Sequence, residues 1–462
     1  MRIKLGESVE RVYNQLIPNR INKEKLAVGI QGGKGSFNEQ AALNVYDELL
    51  SRGFVKQETG LIVDLEHPKD APKSTLREKL ANEKVTFYVG FDPTADSLHI
   101  GSLTPIMAMA HLQRAGHIPI AIIGGGTAMI GDPSGKTTMR QMLSQEAIAS
   151  NGKSILAQLG RYVRFGEGVG HFINNADWLM SLGYIDFLRE IGKYFRVNEM
   201  IKAEAYRMRL EREEGLSFIE FNYQLLQAYD FLVLFDRYHC TLQMGGDDQW
   251  SNMLAGSDLI RRMRQGRGYS LTFPLLTTAT GQKMGKSESG AVWLDPAKTS
   301  PYEFYQYWIN TDDRDVERFL KFFTFLPLEQ ILALCAEGGA SLRNAKEVLA
   351  FETTSITHGK EEAEKAQAAA RSLFGGNGDL SHIPTTELSR GEAEGMKITD
   401  VLVRINFAPS KTEAAKLIKG GGLSINNNPV SDPVVRIMSL PNTGVFLLRK
   451  GKKSYHRVTI TG

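Results

Sequence analysis

The stretch Thr86 to Leu103, TFYVGFDPTADSLHIGSL, limits the possible folds of this chain more than any other. Its opening, Thr86 to Phe91, is β-branched and aromatic, and after Gly101 apolar residues recur at helical spacing as far as Gly116. The pattern predicts strand, turn, helix. Between the two lie Asp92-Pro93 and a polar turn ending in His99-Ile100-Gly101-Ser102. That order sets an imidazole where a helix N-terminus offers unpaired N–H groups to a phosphate. Gly101 permits close approach of a ligand to the backbone, and Pro105 falls in the first helical turn, where its missing N–H costs little.

Taken singly, His-Ile-Gly also fits an ordinary loop histidine ahead of a helix. A second feature lies far downstream: Lys283-Met284-Gly285-Lys286-Ser287, a glycine-containing loop with two lysines three apart. Alone it fits a solvated turn. In this order, about one Rossmann domain apart, the two resemble the paired ATP signatures of class I aminoacyl-tRNA synthetases.

At 462 residues the chain has room for two or three domains with a sizeable core. A net charge of +3 points to no particular partner, but residues 396–462 hold eleven Lys/Arg against three Asp/Glu. A basic C-terminal module suits an anionic partner, or simply a soluble surface. Two cysteines, Cys240 and Cys335, exclude a disulfide scaffold and a cysteine zinc cluster, so a reducing, cytoplasmic setting is expected. No apolar run reaches the roughly 18 residues of a membrane span, and no signal-peptide core opens the chain.

Residues 1–44 read as an extension of unknown role. Within them Leu26 to Leu43, LAVGIQGGKGSFNEQAAL, resembles the opening strand, glycine-rich turn and helix of prephenate dehydratase. There is no space for the rest of that domain. A dinucleotide fingerprint fails because Asn38 stands where a third glycine belongs, and Glu7, Glu10 and Glu24 disfavour a mitochondrial transit peptide.

From Val45 to Gly281 strand and helix patterns alternate, as in a doubly wound α/β domain. Ile118 to Ile123 is a continuous apolar run suited to a buried parallel strand. The following Gly131-Asp132-Pro133-Ser134-Gly135-Lys136-Thr137 ends like a P-loop, but Ile130 stands where that motif needs its first glycine. Within Phe218 to Phe231, Tyr223, Gln227 and Asp230 share one helical face, either a wet surface or the wall of a pocket for a small polar aromatic ligand. Leu242-Gln243-Met244, through Gly245-Gly246 into Asp247-Asp248-Gln249-Trp250, fits the carboxyl-end crevice of such a sheet. Residues 282–374 carry the lysine loop and then turn helical from Ser300-Pro301, 375–396 read as a linker, and 397–462 as a small α+β module.

The segments YVGFDPTADSLHIG, IGDPSGK, FNYQLLQAYDF, GGDDQW, KMGKSESG and SPYEFYQYWINTDDRDV, in this order, resemble the bacterial tyrosyl-tRNA synthetases across about residues 45 to 462. The resemblance implies a Rossmann-like catalytic domain, a helical domain and a small RNA-binding domain. It also implies a cytoplasmic homodimer that activates L-tyrosine with ATP and Mg²⁺ and charges tRNA(Tyr). By resemblance, His99, Thr94, Lys283, Lys286, Lys136 and Arg140 hold the ATP phosphates, with Gly90, Asp92, Gly101, Ser102, Asp248, Met284 and Ser287 completing the nucleotide site. Tyr88 and Asp230 meet the substrate phenol, Asp132, Tyr223 and Gln227 its ammonium, and Gln249 its carboxylate. Asp92 and Asp248 face the ammonium or the ribose. Ser102 departs from the family, where a second histidine is common. No dedicated metal cage is expected, because the nucleophile is already ionised and catalysis can rest on positioning and charge neutralisation.

For tRNA, Arg261, Arg262, Arg264 and Arg267 read either as a track for an acceptor stem or as a solvated helix end. Lys411, Lys416, Lys419, Lys452, Lys453 and Arg457 are the candidate RNA contacts of the last module. Two rival readings remain at this point: a tryptophan-activating relative and a catalytically retired RNA-binding relative. Tyr88 with Asp230 favours a phenol over an indole, and the intact polar set argues against retirement.

Overall fold

A computed structural model describes residues 44–59, 75–132, 134, 143–211, 215–287, 290–336, 338–375, 385–426, 428–440, 444–451 and 454–461. The stretch resembling prephenate dehydratase lies outside them. The chain enters through α1 (Val45–Arg52), β1 (Gln57–Glu58) and α2 (Leu76–Asn82). The predicted strand and helix follow as β2 (Thr86–Phe91) and α3 (Leu103–Arg114), joined by a 3-10 turn over Ile100–Ser102. Next come β3 (Ile118–Ile123), α4 (Gln145–Leu159) and β4 (His171–Asn174). After a series of short helices come α5 (Phe218–Tyr238), β5 (Cys240–Gly246), α6 (Trp250–Arg264) and β6 (Tyr269–Phe273).

Among the described residues these strands form one sheet in the order β1-β6-β5-β2-β3-β4, parallel except for β1. Helices cover both faces, so β3 is buried from Pro119 to Ile123, which accounts for its unbroken apolar run. The order reverses between β2 and β5. Their carboxyl ends, Gly90-Phe91 and Gly245-Gly246, therefore diverge and leave the crevice in which parallel sheets bind ligands.

A small hairpin, β7 (Lys286–Ser287) and β8 (Gly290–Ala291), leads into α7 (Pro301–Ile309), α8 (Val316–Phe323), α9 (Leu328–Cys335), α10 (Ala340–His358) and α11 (Lys360–Gly375). Ser300 caps α7 and Pro301 opens it, as the sequence predicts. Aromatic rings fill this layer: Trp308 lies 5.2 Å from Phe323 and 5.9 Å from Phe319.

The last sheet corrects the linker expected over 375–396. Thr385–Ser389 is a strand, β9, followed by a helical turn over Arg390–Ala393. The glycines that suggested a linker cluster before this segment, while Thr385 to Ser389 is free of Gly and Pro and supplies ladder partners. After α12 (Ile398–Arg404) and α13 (Lys411–Lys419) come β10 (Leu423–Ile425), β11 (Asn428–Pro429), β12 (Val445–Lys450) and β13 (Ser454–Thr461). β9 pairs in parallel with β13, and the remaining ladders are antiparallel.

One arginine ties α1 to the helical layer. Buried Arg52 donates to the carbonyls of Lys321, Thr324 and Leu326 at 2.8–3.2 Å and pairs with Glu48 at 3.0 Å, closing the open C-terminal end of α8. Arg52→Ala is expected to cost about 3 kcal/mol, because it strands the buried carbonyl of Thr324 and the part-buried ones of Lys321 and Leu326, and removes one partner of Glu48. The loss would appear as a lower urea midpoint at unchanged slope. An unmoved midpoint would show that water serves those carbonyls equally well.

Candidate active site

The crevice between β2 and β5 holds a cavity of about 190 Å³ lined by Tyr88, Gly90, Asp92, Asp132, Tyr223, Gln227, Asp230 and Gln249. Two roomier clefts of about 340 Å³ lie elsewhere, away from the carboxyl ends of the strands. The small cavity is where the polar groups converge. Three of these groups come from one helix. The Ser217–Glu220 capping box starts α5, and its 3.6-residue period then turns Tyr223, Gln227 and Asp230 to the same side.

The closed end is built around Asp230. It is 4% exposed and accepts hydrogen bonds from Asn175 Nδ2 at 2.9 Å and Trp178 Nε1 at 2.8 Å. Burial pushes its carboxyl up to about 7, although the two donors pull the other way. Asn175 is itself fixed, since its Oδ1 accepts from Gly126 N at 2.8 Å. The Tyr88 hydroxyl is buried with no hydrogen-bond partner among the described residues, and burial next to Asp230 raises its pKa well above the ordinary phenol value. An unpartnered phenolic O–H and a carboxylate with remaining acceptor capacity therefore line one small cavity.

Further out, Asp132 accepts from Gln249 Nε2 at 2.6 Å and from Ser134 N at 2.9 Å, while Asn252 Nδ2 donates to Gln227 Oε1 at 3.1 Å and Gln249 Oε1 at 3.2 Å. Burial, then the charges of Asp92, Asp132 and Asp230, hold the Tyr223 hydroxyl well above its usual pKa. Burial, followed by Asp132, raises Asp248. So many carboxylates around one cavity create a negative potential suited to a small cation such as an ammonium.

At the mouth the two signature motifs meet through their backbones. Ile100 N donates to Val292 O at 3.0 Å, Leu294 N to Leu98 O at 2.8 Å, and Val292 N to Gly285 O at 3.1 Å. A Cβ on Gly101 would fall 2.6 Å from His99 Cε1 and 3.0 Å from Met284 O. One on Gly285, whose φ is +101°, would fall 2.8 Å from His99 Nδ1. Both glycines are thus required for the motifs to touch. His99 Nδ1 accepts from Gly101 N at 3.0 Å, so the neutral ring carries its proton on Nε2 as a donor.

Of the other residues singled out in the sequence, Met284 is buried beside Gly101, Lys283 is exposed, and Lys286 and Ser287 form β7. Thr94 is exposed after β2, and Ser102 precedes α3 without a side-chain cap bond. Lys136, Arg140, Lys452 and Lys453 lie outside the described residues. Lys411 pairs with Asp400 at 2.7 Å and Lys416 with Glu413 at 2.8 Å. Lys419 is exposed, and Arg457 donates to Thr385 Oγ1 at 2.9 Å. The arginines at the end of α6 are engaged within the fold. Arg261 and Arg262 reach Asp258, Arg264 reaches Asp236, and Arg267 lies 4.5 Å over the Tyr269 ring. Sequence reasoning missed Asn175, Trp178, Thr127 and Asn252. The signal for the first two was the polar pair Asn174-Asn175 at the end of β4, a strand too short for its alternation to stand out.

The family model described as class I tRNA synthetases (W and Y) matches residues 79–375, and the tyrosine–tRNA ligase SYY-like C-terminal domain matches residues 377–458. The chain is 52% identical over 419 residues to a tyrosine–tRNA ligase of Clostridium beijerinckii, covering 90% of this chain and 99% of the relative. It is 50% identical over 418 residues to that of Clostridium tetani, with the same coverage. The chain belongs to the tyrosine–tRNA ligase family. A C-terminally truncated mitochondrial tyrosyl-tRNA synthetase of Aspergillus nidulans superposes at a TM-score of 0.63 with 31% identity, covering 73% of this chain and 96% of that one. For the Coccidioides posadasii counterpart the figures are 0.59, 30%, 71% and 91%. Membership in this family favours the tyrosine reading over the tryptophan-activating and retired alternatives.

The raised pKa of Asp230 has a definite pH consequence. Because the folded state holds this proton more tightly than the unfolded chain, its contribution to stability is fullest below about pH 3.8 and is lost as pH rises through about 7. The expected loss is up to roughly 4 kcal/mol. Asp230→Asn should flatten that decline in urea midpoints taken across the range. An unchanged slope would mean the carboxyl is already ionised in the folded protein.

Proposed function

We propose that the cavity selects L-tyrosine by its phenol and that the mouth aligns ATP, so that the enzyme forms tyrosyl-adenylate and then charges tRNA(Tyr). The observation that carries the substrate assignment is the pairing of the unpartnered Tyr88 hydroxyl with buried Asp230 in one small cavity. A phenol O–H can donate to Asp230 while accepting from Tyr88. Phenylalanine would leave the Tyr88 hydroxyl unpaired and the remaining acceptor capacity of Asp230 unused, a rule for which tyrosyl-tRNA synthetase is itself the familiar illustration. The indole of tryptophan offers a donor of different reach and no acceptor.

Within this reading the ammonium lies among Asp132, Tyr223 and Gln227, and the carboxylate extends past Gln249 toward the mouth, with Asp92 and Asp248 near the ammonium or the ribose. The carboxylate oxygen bonds to the α-phosphorus as the α,β-bridging bond breaks, and the electron pair leaves on pyrophosphate. No proton has to be removed from the nucleophile. What the chain supplies is alignment and neutralisation of the growing charge: His99 Nε2–H, the N-terminal end of α3, Lys283 and Lys286, with Thr94, Lys136 and Arg140 as further phosphate partners. Gly90, Gly101, Ser102, Met284 and Ser287 shape the nucleotide's bed. Mg²⁺ enters as part of the nucleotide substrate. Among the described residues no cluster of three or more His, Cys, Asp or Glu side chains could hold a metal ion by itself. In the second step a ribose hydroxyl at the tRNA 3′ end attacks the tyrosyl carbonyl carbon and AMP leaves.

We assign activation to residues 45–281 together with the lysine loop, and RNA contact to the last sheet and its helices, with Lys411, Lys416, Lys419, Lys452, Lys453 and Arg457 as phosphate partners. The internal pairing of the α6 arginines supports a structural role for that segment. A homodimer is supported by exposed apolar side chains around the short helices of residues 176–201 and the start of α5, with Ile185 72% and Phe218 67% exposed. A cytoplasmic location belongs to the same proposal and accords with a chain of only two cysteines. No helix among the described residues is long and apolar enough to cross a membrane.

Amino-acid-dependent ATP–pyrophosphate exchange with tyrosine, phenylalanine and tryptophan side by side tests the assignment. Exchange with tyrosine alone is expected, and Asp230→Ala should erode the preference over phenylalanine. A preference that survives that substitution would remove Asp230 from the phenol site. Ending the chain after Gly375, before β9 and not inside its sheet, should preserve exchange while tRNA charging falls. Equal loss of both activities would refute the division of labour.

A further inference from the structure

The hairpin that carries Lys283 does not stand free. Its two arms pair at Thr277 and Lys283, with Thr278 N donating to Gln282 O at 2.8 Å and Met284 N to Leu276 O at 3.1 Å. Gly281, at φ +82°, turns the tip. Two side chains from the start of α8 grip it from outside. Asp315 Oδ2 accepts from Ala279 N at the tip at 2.7 Å, and Arg318 donates to Thr277 O, the residue opposite Lys283. The two grips are joined, because Arg318 also donates to Asp315 Oδ1 at 2.6 Å. The Asp315 side chain is only 3% exposed, yet it makes no cap bond to α8, so its acceptor capacity is spent on the hairpin and on Arg318.

We infer that Asp315 and Arg318 are positioning residues for the activation step, a latch by which the helical layer sets the reach of Lys283 over the nucleotide. The inference rests on the phosphate role proposed for Lys283. α8 is a stiff base for such a latch: Val316, Phe319, Leu320, Phe322 and Phe323 are all buried in the aromatic layer. A lysine on an unanchored hairpin would sample many positions, whereas one held at both the tip and the opposite arm returns to a single one. A displacement of about 1 Å at a group that stabilises the transition state costs on the order of a hundredfold in rate. The latch should therefore act on kcat and leave the tyrosine pocket alone, since neither residue lines that cavity.

The test is exchange kinetics on Lys283→Ala, Asp315→Asn, Arg318→Met, Arg318→Lys and the double variant Lys283→Ala/Arg318→Met, each with a melting temperature. Asp315→Asn and Arg318→Met should lower kcat roughly ten- to a hundredfold with the tyrosine KM unchanged. Arg318→Lys should recover part of the loss. Adding Arg318→Met to Lys283→Ala should cost nothing further, because the lysine it positions is gone. Arg318 is 39% exposed, so its replacement is expected to fold even where the Asp315 variant does not. Fully additive losses, or a tyrosine KM that rises with a falling melting temperature, would overturn the latch. If Lys283→Ala alone leaves exchange intact, the phosphate role of that lysine fails. If Lys283→Ala lowers exchange and Arg318→Met does not, the latch alone fails.

Discussion

A carboxylate buried at the closed end of a small cavity is the constraint from which the rest of the site follows. Asp230 is too enclosed to ionise cheaply, and only groups that donate to it make its burial tolerable. Those donors, Asn175 and Trp178, come from the segment after β4 at one edge of the sheet, whereas Asp230 sits on α5 and Tyr88 on β2. They meet only because the strand order runs β5-β2-β3-β4, which brings the carboxyl ends of β2, β3 and β4 side by side. The same reversal between β2 and β5 opens the crevice, so one topological fact both creates the cavity and supplies the partners its buried charge requires. Even with two donors in place, the carboxylate keeps unused lone pairs, and the Tyr88 hydroxyl keeps its full capacity. A ligand group able to donate and accept at one oxygen completes both.

Charge is divided by depth and by rigidity. Asp230 lies on α5, Asp132 on the loop that follows β3 and Asp248 on the turn that follows β5, and burial raises the carboxyls of Asp230 and Asp248. The cationic groups lie at the rim: His99 at a helix start and Lys283 on a hairpin. That division suits the two ends of an amino acid meeting a nucleotide. The acidic groups are held in place, as the proposed binding of an ammonium in the ground state requires. The basic groups sit on backbone that is braced, but not buried, where they can follow charge as it develops on the leaving group. Bracing is the key point, because an exposed lysine without an anchor loses side-chain and loop entropy each time it engages.

Much of this was legible in the sequence, for identifiable reasons. The strand over Thr86 to Phe91 and the buried run Ile118 to Ile123 fell where the β-branched and apolar patterns put them, since a parallel strand covered on both faces has no alternation to misread. Tyr223, Gln227 and Asp230 could be joined into one face because helical period is local information. Asn175 and Trp178 could not be found that way. Their role depends on strand order, which no window of residues contains, and β4 is only four residues long. The strand Thr385 to Ser389 was absorbed into a linker for a similar reason: its partner β13 lies at the far end of the chain, and the glycines just before it dominate the local pattern. The cationic stretch at the end of α6 shows the opposite limit. The sequence leaves four arginines open as a track for RNA or a solvated helix end; Asp258 is a helical-period neighbour of Arg261 and Arg262, but only the fold brings Asp236 beside Arg264.

α8 gains importance from what holds it. At its C-terminal end Arg52 of α1 fills three carbonyls, and at its start Asp315 and Arg318 hold the hairpin of Lys283. Between the two ends the helix packs by Phe319, Phe322 and Phe323 into the aromatic layer. A rigid element fixed at both ends transmits displacement instead of absorbing it, since close-packed interiors shift as units. The helical layer is therefore more than a spacer between the catalytic sheet and the basic last module. Any force on that layer reaches the hairpin through two hydrogen-bonded side chains, and reaches α1, whose Glu48 also meets His111 of α3 at 3.4 Å, through one arginine. The signature loop is thus mechanically part of the helical layer, although its chemistry belongs to the crevice.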